Sequence, residues 1–441
     1  MVKAHVEESL GANPADAALN PTDSVAMGVQ SANAPRERSG SAFSALAHRE
    51  YRLLFAAFCV NQLGFWLSHI AMQGLMVELS GNDPQYLGYL FFALFLPTFL
   101  FAPLAGVAAD RLDRKRIMVS CYAAVAVWSA LLAWVTASGA MTPLLLLGIA
   151  FLLGSAFSFA GPSSFALAAN AVPERDLASA VSVQAASNNL TRVVGPLAAA
   201  PLLATGRLDI AFATYVVASG VAAVMIARMK PAPYTPEDDG LGIAGRLRDG
   251  VRHAIERRPA GPVLVTVAVM TLFGVSHTSL LSVFAESVLG SREYFAWLVS
   301  ATGLGSLIGA LTAGSRKEDP TLRSSAIGMV LYGAGLAAFG LCTSLALSLA
   351  LQFGIGFFYF SVMTSLQTLV QEIVDEARRG RVMALFQICW AGLVPFGGLA
   401  MGSIAGGSGL APTLVGGGAI CALYAAGVVS ISRRLEPSTR V

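Results

Sequence analysis

The chain has 441 residues, 55% of them hydrophobic and only 12% charged, with a formal net charge of +3. A soluble domain carries about 25% charged residues, so this composition excludes a water-soluble globule of this length and makes the bilayer the solvent. The five cysteines, Cys59, Cys121, Cys342, Cys389 and Cys421, fall in apolar runs without Cys-x-x-Cys spacing, which supports neither a disulfide framework nor a zinc site.

Residues 1–48 come first. They are rich in Ala, Asn, Pro, Ser and Asp. No basic stretch leads into an apolar one, so they contain no secretory signal, and they read as a disordered cytoplasmic tail. Six apolar runs follow, at 51–79, 85–109, 117–138, 142–169, 177–205 and 209–229. Each is long enough to span a bilayer as a helix. A polar stretch, 230–260, contains Leu241, Ile243, Leu247, Val251 and Ile255 among five arginines. That pattern predicts an amphipathic helix on an anionic membrane surface. Six further runs lie at 261–289, 294–314, 321–342, 344–371, 381–406 and 411–432, and a short tail, 433–441, closes the chain. The fold class is therefore all-α integral membrane, with twelve transmembrane helices in two pseudo-symmetric six-helix bundles (49–229 and 261–432) joined by a linker. With both termini cytoplasmic, every Lys and Arg except Arg192, Arg207 and Arg292 falls on the cytoplasmic side, as the positive-inside rule requires.

The halves echo each other. Ser68-His69 in the first run and Ser276-His277 in the seventh are each followed, nine residues after the His, by Glu78 and Glu286. The offset is 208 residues for both pairs. Internal repeats of this kind belong to transporters, with a substrate site near mid-bilayer between the repeats. His69 and His277 are candidates for proton coupling or substrate contact, because His is the side chain that changes charge near neutral pH. Nine residues is two and a half turns, so each Glu faces away from its His. In the fifth run, Arg192 must face protein or water, since a guanidinium in lipid costs at least about 2.5–3.5 kcal/mol. It is either a structural anchor, with Asn188 one turn before it, or a contact for an anionic substrate or part of a gate. Gly195-Pro196 implies a kink or a close helix approach. Asn61, Gln62, Trp66, Gln73, Gln352, Tyr359, Gln367 and Gln371 are candidates to face a cavity. Gly303-x-Gly305-x-x-x-Gly309 and Gly354-x-Gly356 permit close packing.

Asp110 to Arg116 packs six charges into seven residues between the second and third runs. The pattern Gly106-x-x-x-Asp110-Arg111-x-x-Arg114-Lys115 resembles the loop between the second and third helices of major facilitator superfamily transporters. The resemblance covers nearly the whole chain after the tail. Tyr51-Arg52-Leu53-Leu54-Phe55, Gln62-Leu63-Gly64-Phe65-Trp66, Leu96-Pro97-Thr98, Pro103-Leu104-Ala105-Gly106, Arg192-x-x-Gly195-Pro196 and Arg378-x-Gly380-Arg381-Val382-Met383-Ala384-Leu385 look like the enterobactin-exporter and macrolide-efflux branch. The resemblance implies that Gly106, Asp110, Arg111, Arg114 and Lys115 form a gating motif whose acid meets the start of the eleventh helix. The second-half counterpart has Ala313 where the acid would stand. The implied protein is a monomeric secondary transporter in a bacterial inner membrane. It would export an amphipathic small molecule, a siderophore or a drug-like compound, by alternating access with proton antiport, and import of a nutrient or siderophore is the alternative. Its partners would be substrate, protons and the lipid bilayer, not nucleic acid, and no cofactor or metal is expected. The chain has no Gly-x-x-x-x-Gly-Lys-Ser/Thr loop, and its five scattered histidines form no catalytic cluster, so an enzyme is not expected.

Overall fold

The computed structural model describes residues 43–230, 252–253, 259–315, 320–374 and 376–435. The side chains of Pro103, Val107, Asp110, Arg111, Ala169, Glu174, Ala178, 376–381 and 433–435 lie outside that description. So do the segment 1–42 and, apart from Arg252 and His253, the amphipathic stretch expected at Leu241–Arg258.

Twelve long helical elements run through the described residues. In the first half they are α1 (Arg49–Ser80), α2 (Pro84–Arg111), α3 (Arg114–Ala137), α4 (Pro143–Ala171), α5 (Leu177–Thr205) and α6 (Leu208–Ala227). In the second half they are α7 (Ala260–Ser287), α8 (Glu293–Gly314), α9 (Leu322–Gly340), α10 (Leu345–Ile373), α11 (376–408) and α12 (Leu410–Leu435). Eleven are long and apolar enough to cross a membrane. The twelfth, α5, carries Asn188, Asn189, Thr191 and Arg192 in its middle, and that polar stretch lowers its apolar character. Large apolar side chains point outward, with Trp134 70%, Leu144 80% and Leu423 74% exposed, as lipid-facing surface requires.

Short polar links start the helices. Asp83 accepts a hydrogen bond from Gln85 N at 2.9 Å ahead of Pro84 at the first turn of α2. Asp113 accepts from Lys115 N at 2.9 Å and Arg116 N at 3.2 Å. Each side chain satisfies amide donors that a helix start leaves open. Asp113, one of the six charges of the basic loop, is thus the cap of α3.

The packing pattern repeats when six is added to each helix number. In the first half α2 packs on α4, α3 on α6 and α4, and α1 on α5 and α6; in the second α8 packs on α10, α9 on α12 and α10, and α7 on α11 and α12. Between the halves α2 packs on α11 and α5 on α8, a pair that also exchanges under the same shift. This is the two-fold relation expected of duplicated six-helix units, and the resulting all-α fold matches the sequence reading. The α8–α10 seam uses the predicted small residues. A Cβ on Gly305 or Gly309 would run into the backbone carbonyl of Phe353 or Phe357, and one on Gly356 into that of Thr302.

Alternation along the chain puts the loops after α2, α4, α6, α8 and α10 on one side, here the basic face, with Arg114, Lys115, Arg175, Arg228 and Lys230. Ser44–Ala47, within the segment assigned to the tail, forms a short 3-10 turn against this face. Ser44 Oγ donates to Asp176 Oδ1 at 2.6 Å, His48 Nε2 lies 2.8 Å from Asp176 Oδ2, and Ala45 N donates to Ser179 Oγ. The hydrogen bonds from Ser44 and His48 hold the Asp176 carboxyl below its ordinary value.

Candidate substrate cavity and gates

A cavity of about 220 Å³ lies between the halves. From the first half it takes Trp66, His69 and Gln73 on α1, Phe91 and Phe95 on α2, and Arg192 on α5. From the second it takes Val275, His277, Thr278 and Leu281 on α7, Thr302 and Ser306 on α8, Tyr332 on α9, Tyr359 on α10 and Val394 on α11. His69 and His277, alike in sequence position, therefore face one shared space.

Their surroundings differ. His69 stacks on Phe65 with ring centroids 5.5 Å apart, meets Phe91 and Phe95 edge-on, and has Nε2 3.0 Å from Gln73 Nε2. His277 sits in irregular backbone. Within α7 a π-helical segment, Met270–Gly274, passes into a 3-10 segment, Val275–Leu280. Side-chain hydroxyls satisfy carbonyls there: Ser276 Oγ donates to Thr271 O, Thr278 Oγ1 to Val275 O and Ser279 Oγ to Ser276 O, all at 2.8–2.9 Å. His277 Nδ1 lies 2.7 Å from Gly274 O, and its Nε2 lies 3.4 Å from Gln352 Oε1, which also accepts from Thr302 Oγ1 at 2.9 Å. A second π segment, Ile388–Gly392, interrupts α11. It places Trp390 so that Nε1 donates to Tyr359 Oη at 2.6 Å. Bulges of this kind are frequent at functional positions.

Arg192 lies with its guanidinium carbon 5.7 Å from the centroid of the Trp66 ring and 4.7 Å from that of Phe360. Its Nε is buried and makes no hydrogen bond. Gly195 explains how Trp66 reaches this position. A Cβ at 195 would collide with Trp66 Cβ and lie 3.1 Å from its Cγ, so only glycine lets α1 and α5 meet here. The helix runs on through Pro196, and the Gly195-Pro196 pair acts as a close approach. Asn188 is engaged one turn earlier, accepting from Gln62 Nε2 at 2.9 Å, and Asn61 accepts from Ser219 Oγ at 3.1 Å. Asn61, Gln62 and Asn188 thus tie α1 to its neighbours. Gln352 supports His277, while Gln367 and Gln371, further along α10, do not line the cavity.

Glu78 and Glu286 lie away from the cavity. Arg292, between α7 and α8, bridges them, with Nη1 3.0 Å from Glu78 Oε2 and Nε 3.1 Å from Glu286 Oε1. This bridge joins the two halves on the face opposite the basic one. Nearby, α2 and α11 touch backbone to backbone: a Cβ on Gly88 would lie 2.9 Å from Gly398 O and 3.1 Å from Gly402 Cα. These contacts join the two halves on this opposite face. At the basic face Arg114 donates to Ala109 O, Ala166 O and Asn170 Oδ1, and Lys115 Nζ to Met229 O at 2.8 Å. Both residues fasten the loop within its own half. Around Gly106 nothing lies within 4 Å of a built Cβ, and the side chains of Asp110 and Arg111 lie outside the described residues.

Sequence reading did not single out Thr302, Ser306, Tyr332 or Phe360 for the site. Thr302 and Ser306 sit one turn apart inside a glycine stripe, and the stripe read as packing alone.

Known proteins place this arrangement. Residues 40–440 match the model of a family described as transmembrane secretion effector. An uncharacterized MFS-type transporter of Bacillus subtilis (strain 168), YfiS, is 24% identical over 346 residues, 76% of this chain and 81% of that protein. The staphyloferrin A transporter of Staphylococcus aureus (strain NCTC 8325 / PS 47) is 23% identical over 377 residues, 84% of this chain and 94% of that protein. In fold the chain is similar to a POT family transporter solved with 5-aminolevulinic acid, with a TM-score of 0.70 at 11% identity over 88% of this chain and 97% of that one. It is also similar to an inward-facing bacterial homolog of the human lysosomal transporter Spinster, with a TM-score of 0.65 at 15% identity over 88% and 98%. The chain belongs to the transmembrane secretion effector family of major facilitator superfamily transporters, multi-pass membrane proteins and not enzymes.

Proposed function

We propose that this protein exports an amphipathic small molecule, a siderophore or drug-like compound, by alternating access with proton antiport, as in the enterobactin-exporter and macrolide-efflux branch. The observation that carries the reading is the cavity shared by the two halves, with inter-half contacts, part of the α2–α11 seam and the Arg292 bridge, on the face opposite the basic one. The basic face is the cytoplasmic one, by the charge rule, so the face bridged by Arg292 is the exterior. The secretion description of the family favours outward movement, and the staphyloferrin A transporter supports a siderophore-like cargo.

His277 is the proton carrier this geometry favours. Oxygen acceptors flank both ring nitrogens, so an imidazolium satisfies both. Loss of one proton is met by turning the Gln352 amide, whose Nε2 has no other partner. Glu78 and Glu286 act in the exterior gate, and Asp110 with Arg111 in the cytoplasmic one.

Inverted vesicles carrying the protein, offered a catecholate siderophore, a citrate-based siderophore and a macrolide, test the reading. An imposed pH gradient should drive uptake of at least one. Uptake that is equal without the gradient removes proton antiport, and accumulation only in right-side-out vesicles makes the protein an importer.

A further inference from the structure

The cavity's electrostatics narrow the cargo. Its ionisable lining consists of His69, Arg192, His277, Tyr332 and Tyr359, with no Asp or Glu. Arg192 carries a permanent charge, yet among the described residues it has neither an ion pair nor a hydrogen bond. Its contacts are the faces of Trp66 and Phe360. A guanidinium at membrane depth costs at least about 2.5–3.5 kcal/mol, and ring contacts return about 0.5–2 kcal/mol each. A structural anchor would show the anchoring partner, as Arg114 does with three oxygens. Arg192 keeps its donors free instead, beside a cavity its side chain partly opens into.

The surroundings fit one kind of guest. Two tyrosine hydroxyls belong to the same lining: Tyr332 Oη is buried without a partner, and Tyr359 Oη, already accepting from Trp390, retains its own proton to donate. Apart from the neutral polar side chains Gln73, Thr278, Thr302 and Ser306 and the two histidines, the rest of the wall is apolar or aromatic, including Phe91, Phe95 and Leu281. A planar guanidinium fork matches a carboxylate with two parallel hydrogen bonds. We propose that Arg192 is the receptor for a carboxylate on the transported molecule, with Tyr332 and Tyr359 as further donors, so that the cargo is an organic acid with an apolar body. This rests on the transport reading above.

The test uses the full-length protein in nanodiscs and a matched pair of probes, 1-naphthaleneacetate and its neutral amide. Calorimetry should show the acid binding at least tenfold tighter than the amide. In Arg192→Gln that preference should fall below twofold, and Arg192→Lys should keep part of it, because a lysine offers the charge without the fork. Equal binding of acid and amide by the wild-type protein overturns the proposal, whether or not Arg192→Gln folds. So does unchanged acid binding by a folded Arg192→Gln. Phosphate or chloride that displaces the acid at equal concentration overturns the organic-acid assignment in favour of an inorganic anion. Proteoliposome flux separates the two readings: amide moved faster than acid sinks the carboxylate site alone. Tight, Arg192-dependent acid binding with no flux of any probe sinks the transport reading and leaves the site standing.

Discussion

Gly88→Ala should shift the protein away from the state described here. The added methyl would lie 2.9 Å from Gly398 O, 3.1 Å from Gly402 Cα and 3.3 Å from Leu399 Cα. All three are backbone atoms, so no rotamer change relieves them. Ordinary contact begins near 3.4 Å, which requires α2 and α11 to separate by about half an ångström along the seam. Overpacking of this kind costs about 1–3 kcal/mol. The cost applies only while the seam is closed. Alanine also gains about 0.5–1 kcal/mol over glycine as a helix former in either state, and that term cancels between states. The ratio of closed to open should therefore fall about 5- to 150-fold. The assay is double electron–electron resonance between spin labels at Ser138 and Leu341, exposed positions in opposite-face loops of the two halves, in a cysteine-depleted background. The variant should gain a longer-distance population. Gly220→Ala, where nothing lies within 4 Å of the new Cβ, should leave the distribution unchanged. A Gly88→Ala distribution that overlays the wild type would refute the argument that this seam holds the closed state.

Arg292→Gln removes both ion pairs of the opposite-face bridge. With Arg292 38% and Glu78 53% exposed, each pair contributes only about 0.2–1 kcal/mol. The same labels should report a shift of severalfold at low salt that fades at high salt; a salt-independent shift would mean that charge is not the cause. Asp176→Asn should loosen the Ser44–Ala47 turn. Because the folded carboxyl titrates below its ordinary value, its contribution is complete above the usual Asp range near about pH 3.9 and is lost as pH falls through the folded value. Limited proteolysis near residue 43 should thus rise on acidification in the wild type and be high at all pH values in the variant. A variant that keeps the wild-type pH profile would assign the anchor to another group. Asp110→Asn should reduce transport while leaving membrane insertion intact, measured by flux and by yield of folded protein; undiminished flux removes the gating role.

The helices were legible because lipid forces every backbone group into helical hydrogen bonding, so an apolar run of sufficient length has one outcome. The two-fold relation was legible in His69 and His277, whose equal offset becomes a shared cavity wall. The irregular stretches of α7 and α11 were not legible. Met270–Gly274 and Ile388–Gly392 are as apolar as any helix interior. Their bulging depends on tertiary contact, Thr271 Oγ1 reaching Trp390 O at 3.4 Å, and on hydroxyls that satisfy displaced carbonyls. The role of Arg292 was equally hidden. In sequence it is one loop arginine among the exceptions to the charge rule, and only folding brings it between acids 214 and 6 residues away.

That bridge explains a pairing that sequence left open. Nine helical residues separate His69 from Glu78, about 13 Å along the axis at 1.5 Å per residue. The distance is too great for proton relay within one helix, but it matches the span from a mid-depth cavity to the rim. Duplicating the segment therefore places two pairs of side chains at two levels along the helices. The histidines converge on the cavity, and the glutamates converge on the seam of the face opposite the basic one, where one arginine serves both. The consequence for charge is direct. The acids that could have neutralised the cavity are held at the rim by Arg292, so among the lining residues Arg192 has no anionic counterpart. The repeat places the acids at the gate, and the anion that completes the binding site is left to the cargo.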